Sequence, residues 1–285
     1  MSAEPVSRGH LYTSLKKRFS FAGISTPELD ARLLLSAACG VDDVGLIAAP
    51  DVVVSKDAMT KLEGMVARRI AGEPVSRILG VREFWGLEFA LNRGTLDPRP
   101  ESETIIEAVL KARPDVAAPL RFLDLGTGTG CLLLALVSEY ANALGVGVDV
   151  SDDAIKAAMR NASLLGFADR VQFMVNDWAR GLDGPFDVIV SNPPYIPSAD
   201  INALAREVKQ FDPVAALDGG DDGLDPYRHL MPELPRLLSP AGMAIFEFGK
   251  GQGADVARIA IEAGLKVERV ICDLAGLERT IIVKL

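Results

Sequence analysis

Between Leu120 and Val283 the chain alternates short apolar runs with amphipathic ones, and this alternation restricts its fold more than any other feature. Arg121–Leu125, Val146–Val150, Val171–Val175, Phe186–Val190 and Met243–Phe248 have the length and the β-branched content of strands. Cys131–Tyr140, Asp152–Leu165, Tyr227–Leu238 and Ala254–Ala263 lie among them with helical spacing. Strands that alternate with helices imply an α/β fold, a largely parallel sheet covered on both faces. Lys266–Cys272 and Thr280–Val283 follow one another with no helix between them and are expected as an antiparallel edge.

The first part of the chain has a different character. Ser25-Thr26-Pro27-Glu28 is a helix start, with a hydroxyl cap, a first-turn proline and a capping-box glutamate. Leu29, Leu33 and Leu34 then form one apolar face, and Gly40 is a stop signal. Leu62, Met65, Val66 and Ile70 repeat the spacing in a further helix. Glu83–Trp85 and Leu87–Leu91 flank Gly86 as the arms of a hairpin. The expected organisation is a small helical domain over 1–75, a β-hairpin linker over 76–97 and an α/β domain over 98–285, in keeping with a length of 285 residues.

Composition narrows the function classes. The net charge is −9, whereas a protein that grips a nucleic-acid backbone usually shows a basic face. Lys16, Lys17 and Arg18, and Arg68 and Arg69, are expected on solvated helix faces. Direct nucleic-acid binding is therefore not expected. No apolar run approaches the roughly 18 residues that span a bilayer, and Met1–His10 lacks the apolar core of a secretory signal. The three cysteines show no metal-ligand spacing and suit a reducing cytoplasm. The expectation is a cytoplasmic monomer without a membrane span or a metal. Neither His10 nor His229 has a recognisable catalytic setting, which disfavours a mechanism built on a histidine base.

Asp124-Leu125-Gly126-Thr127-Gly128-Thr129-Gly130 closes the first strand of the α/β region and opens a helix. Its glycines let the backbone turn sharply and approach a ligand at the carboxyl end of a strand. Cys131 stands where a dinucleotide fingerprint needs its third glycine, and the Lys-Ser/Thr pair of a phosphate loop is absent. Asp149 ends the second strand, where a carboxylate can accept from both hydroxyls of a ribose. Alternatively it caps the helix after Ser151. Asp177 and Trp178 follow the third strand, where an indole can pack on adenine and a carboxylate can accept from its amino group. Together these residues indicate an adenosyl site.

The fourth strand runs into Ser191-Asn192-Pro193-Pro194-Tyr195. Two prolines cannot continue a parallel strand, because neither has an N–H to donate. They hold the backbone extended with free carbonyls. The Asn192 side-chain oxygen and the Pro193 carbonyl can then both accept from one –NH₂ group, and Tyr195 can stack on it. Such a site orients and polarises a planar nitrogen without a strong base.

The glycine loop and the second-strand acid resemble those of class I methyltransferases, which bind S-adenosylmethionine. Asn192–Tyr195 alone is shared by adenine-N6 nucleic-acid methyltransferases and protein glutamine methyltransferases. Gly72-Glu73-Pro74-Val75, Ile78-Leu79-Gly80, Arg82-Glu83-Phe84-Trp85-Gly86 and Pro98–Glu103 resemble the bacterial peptide-chain release-factor glutamine N5-methyltransferase family. So do Leu217–Gly220, Asp222-Gly223-Leu224, Tyr227 and Glu247-Phe248-Gly249. Ser102 departs from the family's threonine, and Arg77 and Asp97 depart from its aromatic and apolar residues.

The resemblance implies a Rossmann-like class I methyltransferase domain with a mostly parallel seven-stranded sheet, joined by the hairpin to a helical domain that recognises the substrate. It implies S-adenosylmethionine held by Gly126–Gly130, Asp149, Asp177, Trp178 and Asn192. Asn192, Pro193 and Tyr195 are the implied catalytic residues, and Pro194, Arg99 and Glu101 contact the substrate with them. Arg99 and Glu101 also read as the polar start of a helix. The implied substrate is the glutamine of the Gly-Gly-Gln loop of class I release factors. A ribosomal-protein glutamine and a nucleic-acid adenine remain alternatives.

Overall fold

Five helices make up the first of two units in the computed structural model, which describes residues 6–285. Residues 1–5 of the expected amino-terminal domain lie outside the described residues. The helices are α1 (Arg8–Phe21), α2 (Pro27–Cys39), α3 (Asp43–Ala48), α4 (Lys56–Ile70) and α5 (Val75–Leu79). Ser7 caps α1 and Ser55 caps α4, each hydroxyl accepting an N–H of the first turn. Helix α2 starts with Pro27 in its first turn and ends at Gly40 in the left-handed conformation. Leu15, Phe19, Leu34, Leu35, Leu62 and Val66 are fully buried between the helices.

The basic residues of this unit differ from the sequence expectation at one position. Arg69 is buried, and its Nε donates to Asp30 Oδ2 at 2.6 Å. Thr26 Oγ1 donates to Asp30 Oδ1 at 2.9 Å. Arg69 lies on the face of α4 that carries Leu62 and Val66, so the helix period turns it inward. Lys16, Arg18 and Arg68 pair with Glu28, Glu63 and Glu73 nearer the surface. Helix α5 carries the unit to Gly80, beyond residue 75 and into the stretch expected as linker.

The second unit, 81–285, opens with a hairpin of β1 (Val81–Phe84) and β2 (Leu87–Ala90). The hairpin packs on the sheet domain of its own unit. Trp85 Nε1 donates to Glu139 at 2.7 Å, and Phe84 and Phe89 are buried in the core of that domain. The remaining elements are α6 (Glu103–Ala112), β3 (Arg121–Leu125), α7 (Cys131–Glu139), β4 (Leu144–Asp149), α8 (Asp152–Leu165), β5 (Val171–Val175) and β6 (Phe186–Ser191). They continue with α9 (Arg206–Phe211), α10 (Asp225–Leu230), α11 (Leu234–Leu237), β7 (Leu238–Glu247), α12 (Gly253–Glu262), β8 (Lys266–Cys272) and β9 (Glu278–Lys284).

Seven strands form one sheet in the order β5-β4-β3-β6-β7-β9-β8. All neighbours are parallel except those of β9, which runs antiparallel to both β7 and β8. The last strand is thus inserted beside β7 and leaves β8 at the edge. One face is covered by α6, α7, α8 and the hairpin, the other by α10, α11 and α12. Burying each Phe or Leu in these layers is worth roughly 1.5–3 kcal/mol. The single helix expected over Tyr227–Leu238 is broken: Met231–Glu233 forms a 3-10 turn between α10 and α11, and β7 begins at Leu238. Pro232 and Pro235 lack the N–H groups that a continuous helix needs.

Candidate active site

The glycine loop turns at the end of β3. The Gly126 and Thr127 N–H groups both donate to Val148 O, at 2.9 and 2.8 Å. Gly126 and Gly128 have φ of 76° and 55°, the left-handed region that suits glycine. The Thr127 hydroxyl donates to Asp124 Oδ2 at 2.6 Å. Burial, reinforced by the nearby charge of Asp149, pushes the Asp124 carboxyl up to about 7 despite that bond. Gly130 caps α7, and a Cβ there would come within 3.3 Å of Ala158 and Phe173.

Asp149 ends β4 opposite this loop. Its Oδ2 accepts the Gly128 N–H and its Oδ1 accepts the Ser151 N–H, each at 2.9 Å. Burial raises its pKa while these two N–H groups hold it down. After β5, Trp178 has φ 49°, a strained value for a bulky side chain. Asn176 Nδ2 holds that turn by donating to Trp178 O and Arg180 O, both at 2.9 Å. The indole lies beside the glycine loop, where a Cβ on Gly126 would come within 3.4 Å of its ring.

Asn161, on the buried face of α8, joins these parts to the hairpin. Its Oδ1 accepts the Ala90 N–H at 2.9 Å, and its Nδ2 donates to Ala90 O at 3.1 Å and Thr129 O at 2.9 Å. A buried amide with three satisfied hydrogen bonds fixes the glycine loop to the hairpin in one specific geometry.

The second half of the site is the turn after β6. The Ser191 hydroxyl donates to Leu125 O at 2.6 Å, tying the ends of β6 and β3 together. Asn192 Nδ2 donates to Ser102 Oγ at 2.9 Å. No donor among the described residues reaches Asn192 Oδ1 or Pro193 O. Beyond the turn, Ile196 bridges Asp218, and the Ile196 and Gly219 N–H groups donate to Leu217 O and Ile196 O.

Three glycines let neighbouring backbone close on this turn. A Cβ on Gly219 would come within 2.9 Å of Pro194 O, on Gly223 within 2.3 Å of Tyr195 O, and on Gly249 within 3.0 Å of the Tyr195 ring. Gln252 Nε2 donates to Tyr195 O at 2.9 Å while its Oε1 accepts the Gly249 N–H at 2.8 Å. The separate segments Leu217–Gly220, Gly223 and Gly249 therefore converge on Asn192–Tyr195.

A cavity of about 820 Å³ joins the two halves. Gly126, Thr127, Gly128, Thr129, Asp149, Asp177 and Trp178 form one side; Asn192, Pro194 and Arg99 form the other. Its size and mixed lining suit a small-molecule ligand together with a slim polar group. Gly130, Pro193, Tyr195 and Glu101 do not line it. Pro193 is buried and Glu101 is exposed. The Tyr195 ring packs against the core under α10 and α12, with its hydroxyl 3.3 Å from Glu247 Oε1. Arg99 Nη2 donates to the buried carboxylate of Asp212 at 2.5 Å, so it meets the cavity as one member of an ion pair.

Several residues that shape the site were given no role from the sequence, although Ser102 and Glu247 lie in segments that resemble the family. Ser102, Asn161, Asp212, Glu247 and Gln252 act across 29 to 145 residues of sequence. Asn161 offers a hint of its own, as a polar residue among Ala154, Ile155, Ala158 and Ala162 on the apolar face of α8.

Comparison with known proteins gives the chain its relatives. Residues 10–80 match the PrmC N-terminal domain, and residues 118–250 match a methyltransferase domain. The release factor glutamine methyltransferase of Rhodospirillum rubrum is 49% identical over 267 residues, covering 94% of this chain and 82% of that protein. The protein of the same name from Bradyrhizobium diazoefficiens is 46% identical over 271 residues, covering 94% and 91%.

Among solved structures, a Pyrococcus furiosus methyltransferase aligns with TM-score 0.52 and 18% identity over 78% of this chain and 98% of that one. The human METTL16 catalytic domain aligns with TM-score 0.56 and 16% identity over 76% and 81%. At such identities these two show the fold alone. The methyltransferase domain and its relatives make S-adenosylmethionine the cofactor, and the glycine cradle with Asp149 and Trp178 fits it. With its amino-terminal and methyltransferase matches in sequence, and with such identity along nearly its whole length, the chain belongs to the release factor glutamine methyltransferase family.

Proposed function

We propose that this chain transfers a methyl group to the N5 nitrogen of the glutamine in the Gly-Gly-Gln loop of class I peptide chain release factors. S-adenosylmethionine supplies an activated sulfonium methyl. The observation that carries the reading is Asn192 at the cavity wall, with its amide nitrogen bound to Ser102 and its oxygen left to accept. A glutamine –NH₂ donating to Asn192 Oδ1 and Pro193 O has its plane fixed and its lone pair turned toward the glycine-loop side. An amide nitrogen is a poor nucleophile, so orientation and polarisation are what the site must provide.

Gly126–Gly130 and Asp149 hold the donor's amino-acid and ribose parts in this reading, and Trp178 and Asp177 flank its adenine. Tyr195 backs the turn rather than facing the amide. Arg99, with Glu101 outside it, belongs to the entrance. The glycines of the substrate loop pass a narrow mouth without side-chain clashes. Within the same proposal the enzyme works in the cytoplasm, as a monomer, on a protein rather than a nucleic acid. No described helix is long and apolar enough to cross a membrane.

The test is transfer of labelled methyl to a purified release factor, to the same factor with its loop glutamine changed to alanine, and to an adenine-containing oligonucleotide. Label only on the unaltered factor is the expected result. Label on the alanine variant or the oligonucleotide would show that the acceptor is a different group.

A further inference from the structure

Glu247 ends β7 behind the Asn192–Tyr195 turn, and it does not line the cavity. It is only 1% exposed, yet both carboxyl oxygens are engaged. Oε2 accepts the Ser102 hydroxyl at 2.5 Å, and Oε1 accepts the Tyr195 hydroxyl at 3.3 Å. The Glu247 backbone oxygen accepts the Tyr227 hydroxyl at 2.7 Å. Ser102 Oγ in turn accepts the Asn192 amide N–H at 2.9 Å. Asn192, Ser102 and Glu247 thus form a relay in which every donor points the same way.

The direction of that relay has a chemical consequence. A serine hydroxyl has one proton to give. Because Ser102 gives it to Glu247, only a lone pair is left for Asn192. The Asn192 side chain must therefore present nitrogen to Ser102 and oxygen to the cavity. Turning the amide over would set two acceptors against each other. Asn192 does not choose its own orientation, and an acceptor site for an –NH₂ group depends on a carboxylate that never touches the substrate.

We propose that Glu247 is a positioning residue for methyl transfer: through Ser102 it fixes Asn192 as an acceptor toward the substrate nitrogen. This rests on the reading that the substrate nitrogen donates to Asn192. The ionised carboxylate accepts from Ser102 and Tyr195 together. A neutral carboxyl must donate through one oxygen, and a proton on Oε2 reverses the relay and invites Asn192 to turn over.

Burial pushes the Glu247 carboxyl up to about 7. The groups facing it are Ser102 and Tyr195, which with Arg279 on β9 oppose that shift, and Glu101, which adds to it. Tyr227 faces it from α10, through the backbone oxygen. Turnover should then rise with pH as Glu247 ionises near neutrality.

The experiment uses the full chain with S-adenosylmethionine and purified release factor, comparing wild type, Ser102→Ala, Ser102→Thr and Glu247→Gln. Cofactor affinity is measured by calorimetry, and kcat and KM across pH 6 to 9. Loss of the orienting hydrogen bond should lower kcat roughly tenfold or more in Ser102→Ala, whereas Glu247→Gln, whose amide oxygen can still accept from Ser102 but cannot ionise, should turn over at a rate that does not rise with pH across this range. KM and cofactor affinity should stay within a few-fold. Ser102→Thr, which keeps the hydroxyl, should stay near wild type.

The rise of kcat near pH 7 should vanish in Ser102→Ala, where Glu247 is intact but disconnected from Asn192. This arm also serves if Glu247→Gln folds poorly. A Ser102→Ala kcat within twofold of wild type would overturn the proposal. So would a pH rise that survives in that variant, or an equal loss of cofactor affinity and turnover. The wild-type arm separates the two levels of inference: wild type inactive on the glutamine sinks the proposed function, whereas active wild type with unaffected variants sinks only the relay.

Discussion

Asp149 accepts the Gly128 N–H at 2.9 Å, so the carboxylate that ends β4 also closes the glycine loop after β3. Its other oxygen holds the Ser151 N–H. The helix cap considered for this residue is instead Ser151, whose hydroxyl accepts the Ala154 N–H at 3.2 Å, and each oxygen of the Asp149 carboxylate keeps a further lone pair that a ribose hydroxyl can use.

Asp149→Ala should weaken S-adenosylmethionine binding about tenfold or more, since hydrogen bonds to a charged acceptor are worth about 1.5–3 kcal/mol each. The loop also loses its Gly128 anchor. Calorimetry reads the effect, and an unchanged affinity would remove Asp149 from the cofactor site.

Asn192→Ala should leave cofactor affinity within a few-fold and lower kcat by roughly 10²–10³, by analogy with loss of one oxyanion-hole donor. Single-turnover transfer to the release factor measures it. Normal turnover would contradict the polarisation argument.

Gly223→Ala tests the packing behind the turn. A Cβ there meets Tyr195 O at 2.3 Å and Gln252 Nε2 at 2.6 Å, on a backbone with φ +76°. The turn must shift, and a displacement of the reacting group can cost about 10²-fold in rate. Cofactor affinity should hold, because Gly223 does not line the cavity. A loss of cofactor affinity matching the loss of rate would show that the two halves of the site are not separable.

Glu247 and Asp124 also make stability depend on pH. Burial raises both carboxyls to about 7 in the folded chain. In the unfolded chain they ionise near 4. The stability they contribute is therefore present below pH 4 and lost as pH rises toward 7. Other carboxylates act in the opposite sense; Asp222, held down by Arg228, is one. The clean reading is a difference. Between pH 5 and pH 8, urea unfolding of Glu247→Gln should gain on wild type, on the order of 1–3 kcal/mol. A gap that does not change with pH would mean that Glu247 titrates normally.

Much of the α/β unit was legible because periodicity reports burial. The strands β3, β5 and β8 and helix α8 have the bounds expected from apolar spacing. The insertion of β9 beside β7 was not legible, since strand order is a tertiary choice that leaves no local pattern. Arg69 shows the same limit in the helical unit: a charge run looks solvated until its partner, 39 residues away, is known.

At the site, the glycine loop, Asp149, Trp178 and Asn192 could be singled out because the chemistry expected of each is carried by its neighbours in sequence, and the fold brings them to one cavity. Tyr195 was expected to stack on the amide, whereas its ring packs against the core and does not line the cavity. Its ring is held from behind by Gly249 and Glu247, and neither proximity can be inferred from the turn itself. The relay through Ser102 joins segments 90 and 145 residues apart, so only the folded chain reveals it.

The most direct test is mass spectrometry of the release factor's loop peptide from cells lacking this enzyme, before and after treatment with the purified protein and S-adenosylmethionine. The account expects the glutamine to be unmethylated at first, then to gain one methyl group with wild type and not with Asn192→Ala. A glutamine already methylated in those cells, or a methyl group appearing on another residue or on nucleic acid instead, would contradict it.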